Sequence, residues 1–125
     1  NHAMRFYNHV IERGGRVKLA AIDEVPTEWK SPLDAFEQTY KHEQKVTSLI
    51  ENLADVAEKE KDRASMNMLQ WFIDEQVEEE DSADEIVQKL KLIGESGNGI
   101  FMLDRELGQR QYTGDITAKQ PEDGA

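Results

Sequence analysis

The second half of the chain carries a helical pattern of apolar positions in which two acidic residues replace the expected apolar ones. Eight positions follow one another at steps of three or four residues: Met68, Phe72, Glu75, Glu79, Ala83, Ile86, Leu90 and Ile93. Such steps place residues on one face of an α-helix. The pattern predicts a helix over Arg63–Ile93, with Asp62 as its N-cap and Gly94 after its end. Glu75 and Glu79 are then expected to point toward a core.

A second long helix is predicted over Pro32–Glu60, ~43 Å in length at 1.5 Å per residue. It begins with Ser31 as N-cap, a proline at the first helical position and Asp34 in the capping-box position. Apolar residues then follow in a heptad pattern that Glu43 and Thr47 interrupt. Because the segment before the next helix is short and polar, the two long helices are predicted to run antiparallel.

The N-terminal segment reads as the interior of a helix from His2 onward, with no N-cap before it. Gly14-Gly15 predicts the end of this helix near Arg13. We therefore expect a chain that begins in mid-helix. The connection over 16–30 lacks a sustained period and is predicted to contain at most a short extended piece over 16–19. Its length predicts that it joins helices running parallel in a bundle.

The C-terminal part contains one short amphipathic helix, predicted over Ile100–Gly108 after a loop at 96–99. Residues 113–125 are polar and contain glycine and proline, which predicts a disordered tail. The predicted domain therefore covers residues 1–112 and is entirely α-helical.

Composition restricts the function. With 125 residues the chain forms one domain, and its net charge of -11 with a pI near 4.7 excludes nucleic acid as a natural partner. The absence of cysteine excludes thiolate zinc sites and iron–sulfur clusters. No apolar run is long enough for a transmembrane helix, so we expect a cytoplasmic protein that does not enter a membrane.

The acidic segment 74–85 contains eight acids in twelve residues and no lysine or arginine. A solvated helix face is the usual explanation for such a run. Two features favour a bound cation instead. Pairs of acids four residues apart, such as Asp74 and Glu78, oppose helix formation. Carboxylates on an apolar stripe also need a counter-charge or protonation.

Carboxylates with one imidazole form the hard donor set that suits iron, manganese or magnesium. In a helical bundle Glu43, Glu75, Glu79 and His2 come from three different helices. Gln76 and Glu79 are three residues apart and therefore reach the same ion from one helix face. Glu78 extends the acidic patch and is a candidate transfer site.

Three separated segments resemble prokaryotic non-haem ferritins: Gln70–Glu80, Tyr40–Gln44 and Gly99–Leu107. They occur in the order of that family with suitable gaps, and the resemblance covers about residues 1–112. It implies an all-α, ferritin-like four-helix bundle with a long crossover and a short C-terminal helix. By this resemblance the chain lacks helix A and the first half of helix B, together with the carboxylates that they carry.

The resemblance also implies roles for individual residues. His2 resembles the histidine that binds the first iron, Glu43 the ligand of the second, and Gln76 with Glu79 the pair around the centre. The acids that resemble the third iron site of prokaryotic ferritins are Glu75, Glu78 and Glu79. Trp71 resembles a tryptophan beside the centre, where it is either an electron donor or a packing residue.

Three functions follow as hypotheses. The first is an iron-storage ferritin that oxidises Fe(II) with oxygen or hydrogen peroxide and forms a homo-oligomeric cage, 24 subunits by resemblance. The second is a structural unit without catalysis that at most nucleates mineral on its acids, including Glu80. The third is a small di-iron oxidase or peroxidase, whose second Glu-x-x-His is replaced here by Gln76-x-x-Glu79.

Overall fold

The computed structural model describes residues 1–110, which form four α-helices. The helices are α1 (His2–Glu12), α2 (Pro32–Lys59), α3 (Arg63–Ile93) and α4 (Gly97–Gly108). Residues between α1 and α2 form the predicted connection; they adopt neither helix nor strand, so no strand occurs over 16–19. The predicted disordered tail at 113–125 lies outside the described residues. No helix in the described part is both long and apolar enough to span a membrane.

The two long helices form an antiparallel hairpin. Ala57 near the end of α2 packs with Leu69 near the start of α3, while Lys91 near the end of α3 pairs with Glu37 near the start of α2 at 3.3 Å. The helix α1 lies against α3 in the opposite direction, since its residue Phe6 stacks on Phe72 at 4.4 Å between ring centroids. His9, further along α1, contacts Ser65 earlier on α3. Therefore α1 and α2 run parallel, which confirms the prediction from the length of their connection.

The apolar core is divided into two clusters along the hairpin. The turn-side cluster consists of Ile50, Ala57, Leu69 and Phe72, and the far cluster consists of Ile86, Leu90 and Leu103. The helix α4 supplies Leu103 to the far cluster. An ion pair between Lys89 of α3 and Glu106 of α4, at 2.6 Å, also holds α4 against α3. On α3 the position of Gln76 falls between the two clusters.

The predicted core face of α3 is wrong at its two acidic positions, Glu75 and Glu79. The buried residues of α3 are Leu69, Phe72, Gln76, Ala83, Ile86, Val87 and Leu90. Glu79 is exposed and Glu75 is only half-buried, and the buried face of α3 contains Gln76 instead of these two acids. A neutral amide is satisfied in a core by hydrogen bonds alone, whereas a buried carboxylate also needs a counter-charge.

The helix starts follow the predicted caps at α2 and α3. Ser31 Oγ accepts a hydrogen bond from the N–H of Asp34 at 3.1 Å, and Asp62 accepts one from the N–H of Ser65 at 3.1 Å. Such caps satisfy N–H groups that have no partner within the helix.

The predicted loop at 96–99 is wrong, because Ser96 caps α4 and glycines at 97 and 99 lie within its first turn. Ser96 Oγ accepts from the N–H of Gly99 at 3.4 Å. A Cβ at Gly99 would lie 2.5 Å from Cγ2 of Ile93, so the absence of a side chain lets α4 pack closely on the end of α3.

The cap of α3 also anchors α1. Asp62 accepts hydrogen bonds from the N–H and, at 2.6 Å, from the hydroxyl of Ser65. His9 Nε2 lies 2.9 Å from the same hydroxyl oxygen, and Arg13 approaches Asp62 at 3.5 Å. The hydroxyl and the N–H of Ser65, in that order, hold the pKa of the Asp62 carboxyl below its ordinary value.

This lowered pKa predicts a stability that depends on pH. Because the folded state favours the Asp62 carboxylate, its contribution is present above the unfolded pKa and is lost as pH falls below about 4. Asp62→Ala should therefore lower the melting temperature near neutral pH but much less near pH 3, as circular dichroism can measure. Asp55→Ala, which removes an exposed acid of α2, is the control. An equal effect of Asp62→Ala at both pH values would contradict the prediction.

Candidate metal centre

The side chain of Gln76 is the centre of a polar layer between α2 and α3. It is 3 % exposed and is the one buried polar residue within residues 1–110. Its Nε2 lies 3.1 Å from the backbone oxygen of Glu43, 3.3 Å from Oε2 of Glu43 and 3.1 Å from Oγ1 of Thr47. The structure thus brings together two of the predicted site residues, Glu43 and Gln76, which come from different helices.

These contacts fix the orientation of the Gln76 amide. A carbonyl oxygen and a carboxylate oxygen accept hydrogen bonds but do not donate them, so the NH₂ group has to face Glu43. The amide oxygen Oε1 remains as the atom of Gln76 that is able to bind a cation. Glu43 is half-buried, and one of its carboxylate oxygens accepts from Gln76.

Thr47 and Glu80 extend the polar layer. The hydroxyl of Thr47 lies 2.5 Å from Oε1 of Glu80 and 3.1 Å from the backbone oxygen of Glu43. A cavity of about 250 Å³ opens beside these groups; it is lined by Thr47, Ile50, Glu51, Ile73, Gln76, Val77 and Glu80. The sequence predicted Thr47 only as an interruption of the heptad pattern, and Glu80 only as an acid of the acidic run on which mineral could nucleate. Polar residues interrupt the apolar pattern of both α2 and α3, and this is the signal in the sequence that could have linked Thr47 to Glu80.

His2 and Trp71 lie in an aromatic group beside the polar layer. The ring of His2 meets Trp71 and Phe72 edge-on, with centroids 5.3 and 5.5 Å apart. The guanidinium of Arg5 lies 3.7 Å above the Trp71 ring, a cation–π contact. His2 is therefore held by aromatic rings, of which Phe72 lies one helical turn of α3 before Gln76, and within residues 1–110 it forms no hydrogen bond with Glu43 or Gln76.

The three predicted third-site acids lie along the outer part of α3. Glu75 is half-buried, whereas Glu78 and Glu79 are exposed. Within residues 1–110 they form no hydrogen bond or ion pair, so their carboxylates are free for a cation. The described part of the chain contains no group of three or more histidine or acidic side chains arranged to hold a metal. Of the predicted site residues, Glu43 and Gln76 are the two that a hydrogen bond joins within this part of the chain.

The chain was compared with families, curated proteins and solved structures. The model of the family described as "Ferritin-like domain" matches residues 1–93. "Bacterial non-heme ferritin" of Bacteroides fragilis (strain 638R) is 46% identical over 109 residues, which are 87% of this chain and 67% of that protein. A "Probable bacterial non-heme ferritin-like protein" of Haemophilus influenzae is 37% identical over 107 residues, 86% of this chain and 65% of the relative.

Solved structures agree with the sequence relatives. The "open pore ferritin" of Archaeoglobus fulgidus superposes with a TM-score of 0.87 at 55% identity, covering 88% of this chain and 68% of that one. A "Humanized Archaeal ferritin" superposes with a TM-score of 0.88 at 52% identity, covering 90% and 68%. The chain spans about two thirds of the length of these relatives. The matched domain, the identities and the helical bundle together show that the chain belongs to the ferritin family.

Proposed function

We propose that this protein stores iron: it binds Fe(II), oxidises it to Fe(III) within the helical bundle and deposits the product as mineral in a hollow homo-oligomeric cage. The observation that carries the proposal is the Glu43–Gln76 pair between α2 and α3. Membership of the ferritin family supports it.

The donor atoms of the pair suit Fe(II) as a substrate. Carboxylate and amide oxygens are hard ligands that favour iron, manganese and magnesium, and the chain has no cysteine to compete for softer metals. The net charge of -11 raises the local concentration of cations and speeds their arrival. A site with few permanent ligands is suited to a metal ion that has to leave again.

Each candidate residue has a distinct role in this proposal. Glu43 binds iron through its carboxylate, and Gln76 holds that carboxylate through Nε2 while Oε1 faces the ion. Glu79 completes this group, and His2 binds the other iron of the centre. Glu75 and Glu78, again with Glu79, form the third site, through which iron moves between the centre and the mineral.

The redox step is the loss of one electron from each Fe(II). Oxygen accepts two electrons and two protons to give hydrogen peroxide, or peroxide accepts two electrons and two protons to give water. Trp71, which packs edge-on against His2 and has Arg5 above its ring, is a candidate intermediate electron donor. The cation–π contact favours the neutral indole over its radical cation, because a positive charge destabilises a second one nearby.

A second candidate function is structural: the chain packs with other subunits and at most nucleates mineral on Glu75, Glu78, Glu79 and Glu80. The exposed carboxylates of Glu78 and Glu79 on α3 favour this candidate. A di-iron oxidase is less well supported, since α3 offers Gln76-x-x-Glu79 in place of Glu-x-x-His.

One experiment separates the first two candidates. The intact mass of the purified protein is measured first, and Fe(II) is then added to the same sample in air while ultraviolet absorbance is followed. Fast, saturable oxidation supports the ferroxidase. A mass near 14.3 kDa together with no rapid oxidation supports the structural unit.

Glu79→Ala tests the outer acidic site. We expect fewer Fe(II) ions bound per subunit, because an exposed carboxylate with no partner in residues 1–110 is lost. The melting temperature should stay equal or rise slightly, since repulsion from Glu75 four residues earlier is removed. Calorimetric titration under anaerobic conditions measures the stoichiometry.

Asp81→Ala is the matched control for Glu79→Ala. Asp81 is also exposed and also has an acid four residues away, Glu85, but it is not among the candidate ligands. An unchanged stoichiometry in Glu79→Ala, or an equal loss in Asp81→Ala, would argue against the third site.

A further inference from the structure

We propose that Thr47 and Glu80 are positioning residues that hold the Gln76 amide in the one orientation that presents its oxygen to a cation. This inference rests on the proposed function, because it assumes that Glu43 and Gln76 bind the metal. Neither Thr47 nor Glu80 is itself a ligand in this proposal.

The hydroxyl of Thr47 has one proton and two acceptors within reach. Oε1 of Glu80 lies at 2.5 Å, and the backbone oxygen of Glu43 lies at 3.1 Å. A hydrogen bond from a hydroxyl to a carboxylate is short and about twice as strong as one to a neutral acceptor. The proton therefore goes to Glu80, and the lone pairs of Thr47 remain to accept the N–H of Gln76 at 3.1 Å.

The hydrogen bond from the Thr47 hydroxyl to Glu80 disfavours the flipped orientation of the Gln76 amide. If Gln76 rotated by half a turn, Oε1 would face the backbone oxygen and the carboxylate of Glu43, which are acceptors only. A hydroxyl with a free proton would partly stabilise that state by donating to Oε1. Because Glu80 takes this proton, the flipped amide finds no donor among these neighbours, and burying an unsatisfied amide is costly.

The environment of Glu80 fits this role. Its carboxylate is half-buried and lines the cavity beside Gln76, and it forms no ion pair within residues 1–110. Its hydrogen bond in that part of the chain is the one from Thr47. The positions also match along the helices, since Thr47 follows Glu43, and Glu80 follows Gln76, by four residues. One helical turn of each long helix thus carries a ligand candidate and its support.

The test uses Co(II) as a probe that air does not oxidise, with the affinity measured by calorimetry and the site followed by visible absorbance. Thr47→Val keeps the shape of the side chain and removes the hydroxyl, so we expect about 10-fold weaker binding, as for other groups that orient metal ligands. The Co(II) spectrum should change as well, since the amide oxygen is no longer held at the ion.

Three further variants make the result specific. Thr47→Ser restores the hydroxyl and should restore both affinity and spectrum. Glu80→Gln replaces the obligatory acceptor by an amide and should weaken binding in the same direction. Thr39→Val is the matched control, because Thr39 also lies on α2 and its hydroxyl donates to the backbone oxygen four residues earlier at 3.0 Å. Melting temperatures show which variants remain folded.

The outcomes separate this inference from the function on which it rests. If Glu43→Ala binds Co(II) as tightly as the unchanged protein, the metal centre itself is wrong and the positioning proposal fails with it. If Glu43→Ala weakens binding but Thr47→Val does not, the centre stands and the positioning role is overturned. Failure of Thr47→Ser to rescue, or an equal loss in Thr39→Val, also overturns it. Should Thr47→Val not fold, Glu80→Gln decides in the same way.

Discussion

Replacing Phe72 with alanine should lower the free energy of unfolding by about 3–5 kcal/mol, the usual cost of emptying a buried phenylalanine site. Phe72 is 2% exposed and is the largest fully buried side chain of the described residues. It stacks on Phe6 of α1 and meets Trp71 edge-on at 4.9 Å between centroids. Its loss removes both a part of the turn-side cluster and one of the contacts that hold α1 on α3.

Urea unfolding followed by circular dichroism measures this loss. Phe101→Ala removes a ring of the same size from α4, where it is 67% exposed, and should change stability by no more than about 0.5 kcal/mol. A similar cost for both variants would show that Phe72 is not the organising residue of the core. In Phe72→Ala the packing around His2 should also loosen, because the ring of His2 meets the ring of Phe72 edge-on.

Replacing Glu43 with glutamine should slow the oxidation of Fe(II) by at least about 100-fold. Mutation of residues that only orient a metal ligand already lowers metal affinity or activity about 10–100-fold. The variant keeps the size of the side chain but removes the charge that attracts the ion. The new amide is also able to turn its own NH₂ group toward the NH₂ group of Gln76, and two donors do not form a hydrogen bond. Initial rates of absorbance increase after Fe(II) addition in air measure the effect.

Glu58→Gln is the control for Glu43→Gln, since Glu58 lies on the same helix and is exposed. It should oxidise iron at the unchanged rate. A Glu43→Gln variant that keeps most of its rate while remaining folded would remove Glu43 from the centre. The prediction concerns rate and not folding, because the half-buried Glu43 lies outside the two apolar clusters.

The architecture of the hairpin was accessible from sequence because its signals are local. The caps at Ser31 and Asp62 and the glycine at 94 depend on neighbours within a few residues, and they fix the bounds of α2 and α3. The prediction of a loop at 96–99 is wrong because its two glycines, which are typical of turns, lie within the first turn of α4 behind the Ser96 cap. The close packing of Gly99 on Ile93 is a tertiary contact that no local pattern reveals.

The candidate site was only partly accessible. The resemblance assigned Glu43 and Gln76 to one centre without predicting their hydrogen bond, and the apolar period placed Glu75 and Glu79 on the core face and not Gln76. Steps of three and four residues fit two adjacent faces almost equally well, and only the partner helix decides between them. The roles of Thr47 and Glu80 depend on the distance between two helices, which the sequence does not contain.

The polar layer between the two apolar clusters has a consequence for how α2 and α3 find each other. Apolar side chains tolerate a slide of one helix along the other, since one hydrophobic surface replaces another. Gln76 does not tolerate it, because a shifted partner would leave its NH₂ group without the acceptors on Glu43 and Thr47. Misaligned hairpins are therefore penalised, and the group proposed to bind metal also selects the correct alignment during folding.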